Sequence, residues 1–334
     1  MVRLSGLHLG GFKSIKSLPF LRLANVNVFI GANGAGKSNL VAFFRLLRSL
    51  ASGRLQEFVG RAGGANALLH YGAKQTPVMW GSLEFDHESD LRRYGFSLSS
   101  TETDSFVFSN EEVELPEVTD LTAIGSSRLG AGHRESLLAS DDVHLTLRRL
   151  LAGISTFHFE DTSETAAIRR RGYMEDNRQL REDAGNLAAF LFALRQMHPA
   201  YYRRITTTIR QIAPFFGDFE LSPLRTDPNS IMLNWTDRDS DYLFGPHQLS
   251  DGTLRTMALV TLLAQPESDL PPVIVLDEPE IGLHPVCIGD RSGARQECGG
   301  SQHHCTGNPV RRSREPIRPR RRHYGHPGKC RKQV

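Results

Sequence analysis

Residues 31–38 read GANGAGKS, which fits the spacing G-x-x-x-x-G-K-[ST] at every fixed position. The apolar stretch VNVFI at 26–30 precedes the octet, and Leu40, Phe44 and Leu47 recur on one helical face behind it. A strand, a glycine-rich turn and a helix in that order commit the chain to an α/β fold. Gly31, Gly34 and Gly36 let backbone N–H groups curl around phosphate oxygens. Lys37 supplies a point charge, and the Ser38 hydroxyl can ligate Mg²⁺. The helix that begins here turns its positive end toward the anion.

A second apolar stretch, VIVL at 273–276, reads as a buried strand of a parallel sheet and ends in Asp277-Glu278-Pro279-Glu280. A carboxylate at the end of such a strand can hold Mg²⁺, and the next can orient or deprotonate a water. Asp277 is therefore the metal candidate, beside Ser38, and Glu278 the catalytic base, beside Lys37. Upstream lies Gln248-Leu249-Ser250-Asp251-Gly252-Thr253, which opens an apolar helix over 254–263. Ser250 and Gly252 at a helix start make a second anion site. One nucleotide needs one cradle, so a second cradle points to a second copy of the chain.

These motifs together resemble the ABC-type P-loop ATPases of the RecF/SMC/OLD branch, in particular their short AAA-family members. The Ser250 loop is similar to the family signature LSGGQ, with Asp251 at the first Gly position and Thr253 at the Gln position. Residues 7–15, LHLGGFKSI, resemble the family's opening strand, and residues 281–285, IGLHP, its D-loop. Asp176-Asn177 and Gly185-Asn186-Leu187-Ala188 are also similar to the family, without a chemical role that can be assigned from the residues. The resemblance covers residues 1–285. It implies ATP and Mg²⁺ as cofactors, with Gly31, Ala32, Asn33, Gly34, Ala35, Gly36, Lys37, Ser38 and Asn39 of one copy lining the nucleotide. Ser250 and Gly252 of the second copy would cap it in an ATP-dependent head-to-tail homodimer. It implies hydrolysis in DNA repair or phage defence, with DNA as a partner. The alternatives are a nucleotide-gated switch on an effector protein without DNA contact, or a degraded, non-functional relative.

The 334 residues suffice for a large core. No run of about 18 apolar residues exists, so no membrane partner is expected. The start enters a strand without a signal-like leader, which gives a cytoplasmic expectation. The ATPase domain is placed at 1–285, with an inserted mixed α/β and helical lobe at about 52–248. Within that lobe, strands are expected at 79–85, 94–98, 105–108, 219–224 and 230–235. A helix running into a strand is expected over 147–159, and amphipathic helices at 184–197 and 201–212. No sustained heptad pattern predicts a long coiled-coil arm. His158 is read as solvated or at the core edge ahead of catalytic, and Arg169-Arg170-Arg171 as a solvated run ahead of a DNA contact. Phe12 is open between ordinary packing and stacking on adenine.

Residues 286–334 differ in kind. They hold 12 Lys and Arg against 3 Asp and Glu, whereas residues 1–285 hold 28 against 34. They contain no Leu and no Phe, yet all four cysteines, Cys287, Cys298, Cys305 and Cys330. Such a composition builds no core and predicts a disordered basic tail. Arg311 to Arg322 could bind nucleic-acid phosphates. Cys298, His303, His304 and Cys305 match no usual zinc spacing. The third reading is a frameshift after Pro285. Shifted by one base, the codons of Val286-Cys287-Ile288 can spell Tyr-Ala-Leu. Those of residues 302–305 can spell an apolar strand, those of 308–310 Thr-Gln-Ser, and those of 317–321 Phe-Asp-Pro-Asp-Asp. The resembling family has these features in this order, so the frameshift is the favoured reading.

Overall fold

The computed structural model describes residues 3–86, 93–114 and 126–279, all of which lie in a compact unit spanning Met1–Asp290. Glu280, the segment 281–285 and the whole of 286–334, with its cysteines, histidines and arginines, lie outside the described residues. In chain order the elements are β1 (Leu4–Phe12), β2 (Ile15–Arg22), α1 (Lys37–Ala51), α2 (Leu55–Arg61), α3 (Ala65–Leu68) and β3 (Val78–Phe85). They continue with β4 (Arg93–Ser100), β5 (Phe106–Glu114), β6 (Ser126–Gly130), α4 (Leu145–Ala152), β7 (Ile154–Phe157), β8 (Gly172–Tyr173), α5 (Leu187–Met197) and α6 (Pro199–Ile212). Last come β9 (Phe216–Glu220), β10 (Pro223–Leu224), β11 (Asp227–Ile231), β12 (Asn234–Asp237), β13 (Ser240–Phe244), α7 (Asp251–Ala264) and β14 (Val273–Leu276).

The opening segment is a hairpin rather than one strand. Lys13 sits at φ 48, and this left-handed turn folds Ile15 back opposite Phe12. The hairpin then joins β3–β6 in an antiparallel sheet of order β2-β1-β3-β4-β5-β6. The apolar side of α1 packs on this sheet. Phe43 meets Phe12 edge-on at 5.7 Å and stacks with Phe96 at 6.3 Å. Gly81 in β3 permits that approach: a Cβ there would lie 2.7 Å from Phe96 and 2.8 Å from Phe43. Burial of a Phe of this kind contributes about 1.5–3 kcal/mol.

Two apolar clusters organise the unit. One gathers β1, β3–β5, α1–α4 and the start of β7. The other gathers Phe157, α5–α7 and the strands β9, β11 and β12. The interval 52–248 contributes to both. The expected strand at 219–224 is split between β9 and β10, and that at 230–235 between β11 and β12.

The parallel element is small. β14 pairs with β7 in register Val273↔Ile154 to Leu276↔Phe157. The expected strand at 26–30 does not form. The Asn27 side chain folds back instead, accepting from the Ala24 N–H and donating to the Ala24 carbonyl, each at 2.9 Å. This local turn replaces a ladder that has no partner strand among the described residues. Val26, Val28 and Ile30 are accordingly exposed.

Candidate functional site

The glycine-rich loop leads directly into α1. Gly34 at φ 81 and Gly36 at φ 97 occupy the left-handed region, which glycine enters without cost. Ala35 N–H bonds to the Ala32 carbonyl at 3.1 Å and closes the turn. Gly36 caps α1 without a side-chain hydrogen bond, and the first helical turn carries no acid. The first amides of α1 therefore keep their polarity for an external anion. The Lys37 ammonium bridges the loop, donating to Gly31 O at 2.6 Å and Ala32 O at 3.3 Å. An ammonium held, among the described residues, only by carbonyls of its own loop fits a phosphate, whose charge would draw it outward. Gly31, Ala32, Asn33, Gly34, Ala35 and Ser38 are exposed; Gly36, Lys37 and Asn39 are half-buried.

The loop is braced from behind. Asn39 donates through Nδ2 to the Ser14 hydroxyl at 2.6 Å, and a Cβ on Gly36 would lie 3.1 Å from the same oxygen. The hairpin turn at Lys13 and Ser14 thus supports the loop. Neighbouring Phe12 is wholly buried against Phe43, so its role is packing and not adenine stacking.

Asp277 and Glu278 stand at the carboxyl end of β14, both half-buried. Asp277 N–H continues the ladder to Phe157 O at 3.0 Å. Glu278 takes φ 43, directly before Pro279. A left-handed glutamate is uncommon backbone. The pair shares a cleft with Phe157, Phe159, Glu160 and Arg255. Arg255, from α7, donates to Phe159 O at 3.1 Å and Glu160 O at 2.6 Å, fixing the exit of β7. The loop at 31–38 does not line this cleft. It connects through α1 to β7, the strand paired with β14: Arg45 of α1 donates to Thr156 of β7 at 2.9 Å. Ser38 and Asp277 offer the hard oxygen donors that Mg²⁺ accepts when phosphate oxygens complete its shell. Among the described residues no group of three or more His, Cys, Asp or Glu could hold a metal by itself.

Ser250 is the N-cap of α7, accepting from Thr253 N–H at 3.2 Å and pairing with the Thr253 hydroxyl at 2.8 Å. It is exposed, with Gly252 half-buried beside it. The loop owes its shape to Arg169, which sequence reasoning had placed in a solvated run. Arg169 is only 5% exposed. Its guanidinium donates to Thr162 O at 2.7 Å, Pro246 O at 2.5 Å, Leu249 O at 3.1 Å and Asp251 Oδ1 at 2.7 Å. Arg170 and Arg171 are exposed.

Two further features gain a place. Asn186 is buried, donates to Asp176 O and Gln179 O at 2.8 Å each, and accepts from Arg181 N–H at 2.9 Å. The Asp176 and Asn186 motifs are thus one knot ahead of α5, recognisable in sequence only as paired turn-type residues. His158 follows β7, half-buried, and its Nδ1 has no hydrogen-bond partner among the described residues.

A family profile described as "AAA domain, putative AbiEii toxin, Type IV TA system" matches residues 26–291. No curated protein matches the sequence. Among solved structures the chain is similar to the Smc head domain with an extended coiled coil bound to the C-terminal domain of ScpA, from Pyrococcus furiosus. That likeness has 14% identity and a TM-score of 0.47, and covers 85% of this chain and 84% of that one. The recombination mediator RecF with ATP is similar at 12% identity and a TM-score of 0.41, over 85% and 88% of the two chains. The SMC head domain from Thermotoga maritima follows at 16% and 0.37, over 84% and 80%.

Proposed function

This chain belongs to the AAA-domain family matched over residues 26–291, and from that premise we propose that it binds ATP on residues 31–39 and hydrolyses it between two head-to-tail copies. The observation that carries the reading is the loop itself: two left-handed glycines, an α1 without a side-chain cap, and Lys37 bonded to the carbonyls of Gly31 and Ala32. Lys37 moves from Gly31 O and Ala32 O to the outer phosphates. Ser38 and Asp277 would hold Mg²⁺, which would supply charge neutralisation at the phosphates. Glu278 orients the attacking water and takes its proton. The exposed start of α7, with Ser250 and Gly252, caps the nucleotide of the other copy.

The family description, with its putative toxin and type IV TA system, favours a toxin–antitoxin or phage-defence setting over DNA repair. Among the described residues no helix is long and apolar enough to cross a membrane. One observation favours a switch on an effector protein over a DNA clamp. Residues 1–285 carry more acid than base, 34 against 28, and so lack a general attraction for a polyanion.

The test is ATP binding and turnover by the full chain. Lys37→Ala should abolish binding, and Ser250→Ala should retain binding but lose turnover. Mixing the two variants should restore one competent interface per pair. Binding unchanged in Lys37→Ala sinks the site, and no recovery on mixing sinks the shared interface. DNA binding by residues 1–285 that weakens steeply with salt would favour the clamp instead.

A further inference from the structure

The glycine-rich loop and the Ser250 loop are each flanked by a hairpin, and the two hairpins carry opposite charge. Residues 1–56 hold eight Lys and Arg and no Asp or Glu. Residues 234–252 hold four Asp and one Arg. The basic flank is the turn between β1 and β2. Lys13 and Lys16 stand on either side of Ser14, whose hydroxyl receives Asn39 at 2.6 Å and abuts Gly36. Lys16 is exposed and Lys13 half-buried, and neither has an ion-pair partner among the described residues.

The acidic flank is the β12–β13 hairpin. Asp239 and Asp241 are exposed there and have no ion-pair partner among the described residues. β13 is the outer strand of its sheet. Its Phe244 stacks on Trp235 at 4.6 Å, and the Trp235 indole N–H donates to Gly245 O at 3.2 Å. Beyond Gly245 come Pro246 and Leu249, whose carbonyls Arg169 holds, and then Ser250. The acidic hairpin is thus anchored to the Ser250 loop, as the basic one is to the glycine-rich loop. Arg170 and Arg171 do not offset it, because each already acts on an acid of its own, Asp161 and Asp227. A head-to-tail pair brings the two flanks together. When Ser250 of one copy approaches the glycine-rich loop of the other, the acidic hairpin arrives at the basic one. Two-fold symmetry repeats the contact at the second site. An encounter of like ends would set acid against acid and base against base.

We infer that Asp239 and Asp241 of one copy dock against Lys13 and Lys16 of a second copy, and that this charge match steers the two copies into the head-to-tail register before the nucleotide is capped. The partner of the acidic hairpin is a second copy of this chain. The inference rests on the proposed nucleotide interface shared by two copies, and adds a contact that touches neither nucleotide nor metal.

The test is self-association of the full chain, followed by sedimentation with a saturating non-hydrolysable ATP analogue and Mg²⁺, the analogue's affinity for each variant being measured separately. One variant carries Asp239→Lys with Asp241→Lys, the other Lys13→Glu with Lys16→Glu. Each alone sets like charges together at both contacts, so its association should weaken on the order of tenfold or more. Mixing the two variants opposes unlike charges at both contacts again, in the native sense at one and reversed at the other. The mixture should recover pairing as a heterodimer. Wild-type association should also weaken as salt rises from about 0.05 to about 0.3 M, and Asp239→Asn with Asp241→Asn should flatten that dependence. Charge-reversed variants that pair as tightly as wild type, or a mixture that stays apart, overturn the inference and leave the nucleotide reading standing. Where a charge-reversed chain fails to fold, the Asn variant decides, and an unchanged salt dependence overturns the inference. A wild type that binds the analogue but does not associate overturns the shared interface, and the inference with it.

Discussion

Arg169 donates to Asp251 Oδ1 at 2.7 Å across 82 residues of chain, and the two partners are unequal: Arg169 is buried, whereas the Asp251 side chain is 63% exposed. The guanidinium also satisfies three backbone carbonyls, so removing it strands all of them. Arg169→Ala is expected to cost about 3–5 kcal/mol, read as a fall in the denaturation midpoint. Arg169→Lys should recover only part of this, because an ammonium cannot reproduce the planar fork. Asp251→Asn should cost much less. The Arg169 hydrogen bond, helped by Thr162, holds the Asp251 carboxyl below its usual range. A depressed carboxylate contributes stability above about pH 4 that disappears as pH falls through its folded value. Wild type should therefore lose its advantage over Asp251→Asn in acid; an advantage constant with pH would refute the pairing.

The role proposed for Glu278 separates chemistry from binding. Glu278 takes a left-handed backbone and lines the cleft beside Asp277, which the glycine-rich loop does not line. Glu278→Gln is expected to lower ATP turnover about 10²–10⁴-fold while leaving ATP affinity within a few-fold of wild type. Loss of affinity in step with turnover would show that Glu278 shapes the pocket instead. Single-turnover kinetics with equilibrium binding gives both numbers.

The residues proposed for this site are local in sequence. The octet at 31–38 and the Asp277-Glu278 pair are runs of consecutive residues, so spacing alone singles them out. The helices α1 and α5–α7 were likewise legible from periodicity. Residues 26–30 were not, because a strand exists only with a neighbour, and none is present among the described residues. Arg169 was misread for a related reason. Its acceptors at Pro246 and Leu249 lie 77 and 80 residues away, while its sequence neighbours Arg170 and Arg171 are exposed. The Lys13 turn was hidden because a left-handed lysine between two strands carries no turn-type signal of its own beyond Ser14.

Ser14 offers a test of the loop's brace. Its hydroxyl receives Asn39 Nδ2 and abuts Gly36. Ser14→Ala removes one neutral hydrogen bond, worth about 1 kcal/mol, and leaves the phosphate contacts intact. ATP affinity should fall about fivefold with little change in melting temperature. An equal loss in Asn39→Ala, with no further loss in the double variant, would confirm that the two act as one unit. Additive losses would refute it.

Glu111 is wholly buried in the antiparallel sheet and gathers four partners. Tyr94 and Ser136 donate hydroxyls at 2.7 and 2.5 Å, the Leu137 amide donates at 3.0 Å, and His133 Nε2 lies at 2.8 Å. The carboxylate thereby pins the segment that follows β6, whose Glu135 in turn accepts from the Leu55 and Gln56 amides at the start of α2. Glu111→Ala should cost about 3–5 kcal/mol, since it leaves several buried donors without an acceptor. The same network gives the fold an alkaline limit. Burial first, and the Glu111 charge second, push the Tyr94 hydroxyl well above its ordinary value. A raised folded value means the contribution is whole below about pH 10 and is lost as pH climbs through the folded value. Wild-type stability should therefore fall above about pH 10. Tyr94→Phe should be about 1–2 kcal/mol less stable at neutral pH and show a flatter alkaline decline. Parallel declines for the two proteins in denaturant titrations between pH 8 and 11 would remove Tyr94 as the cause.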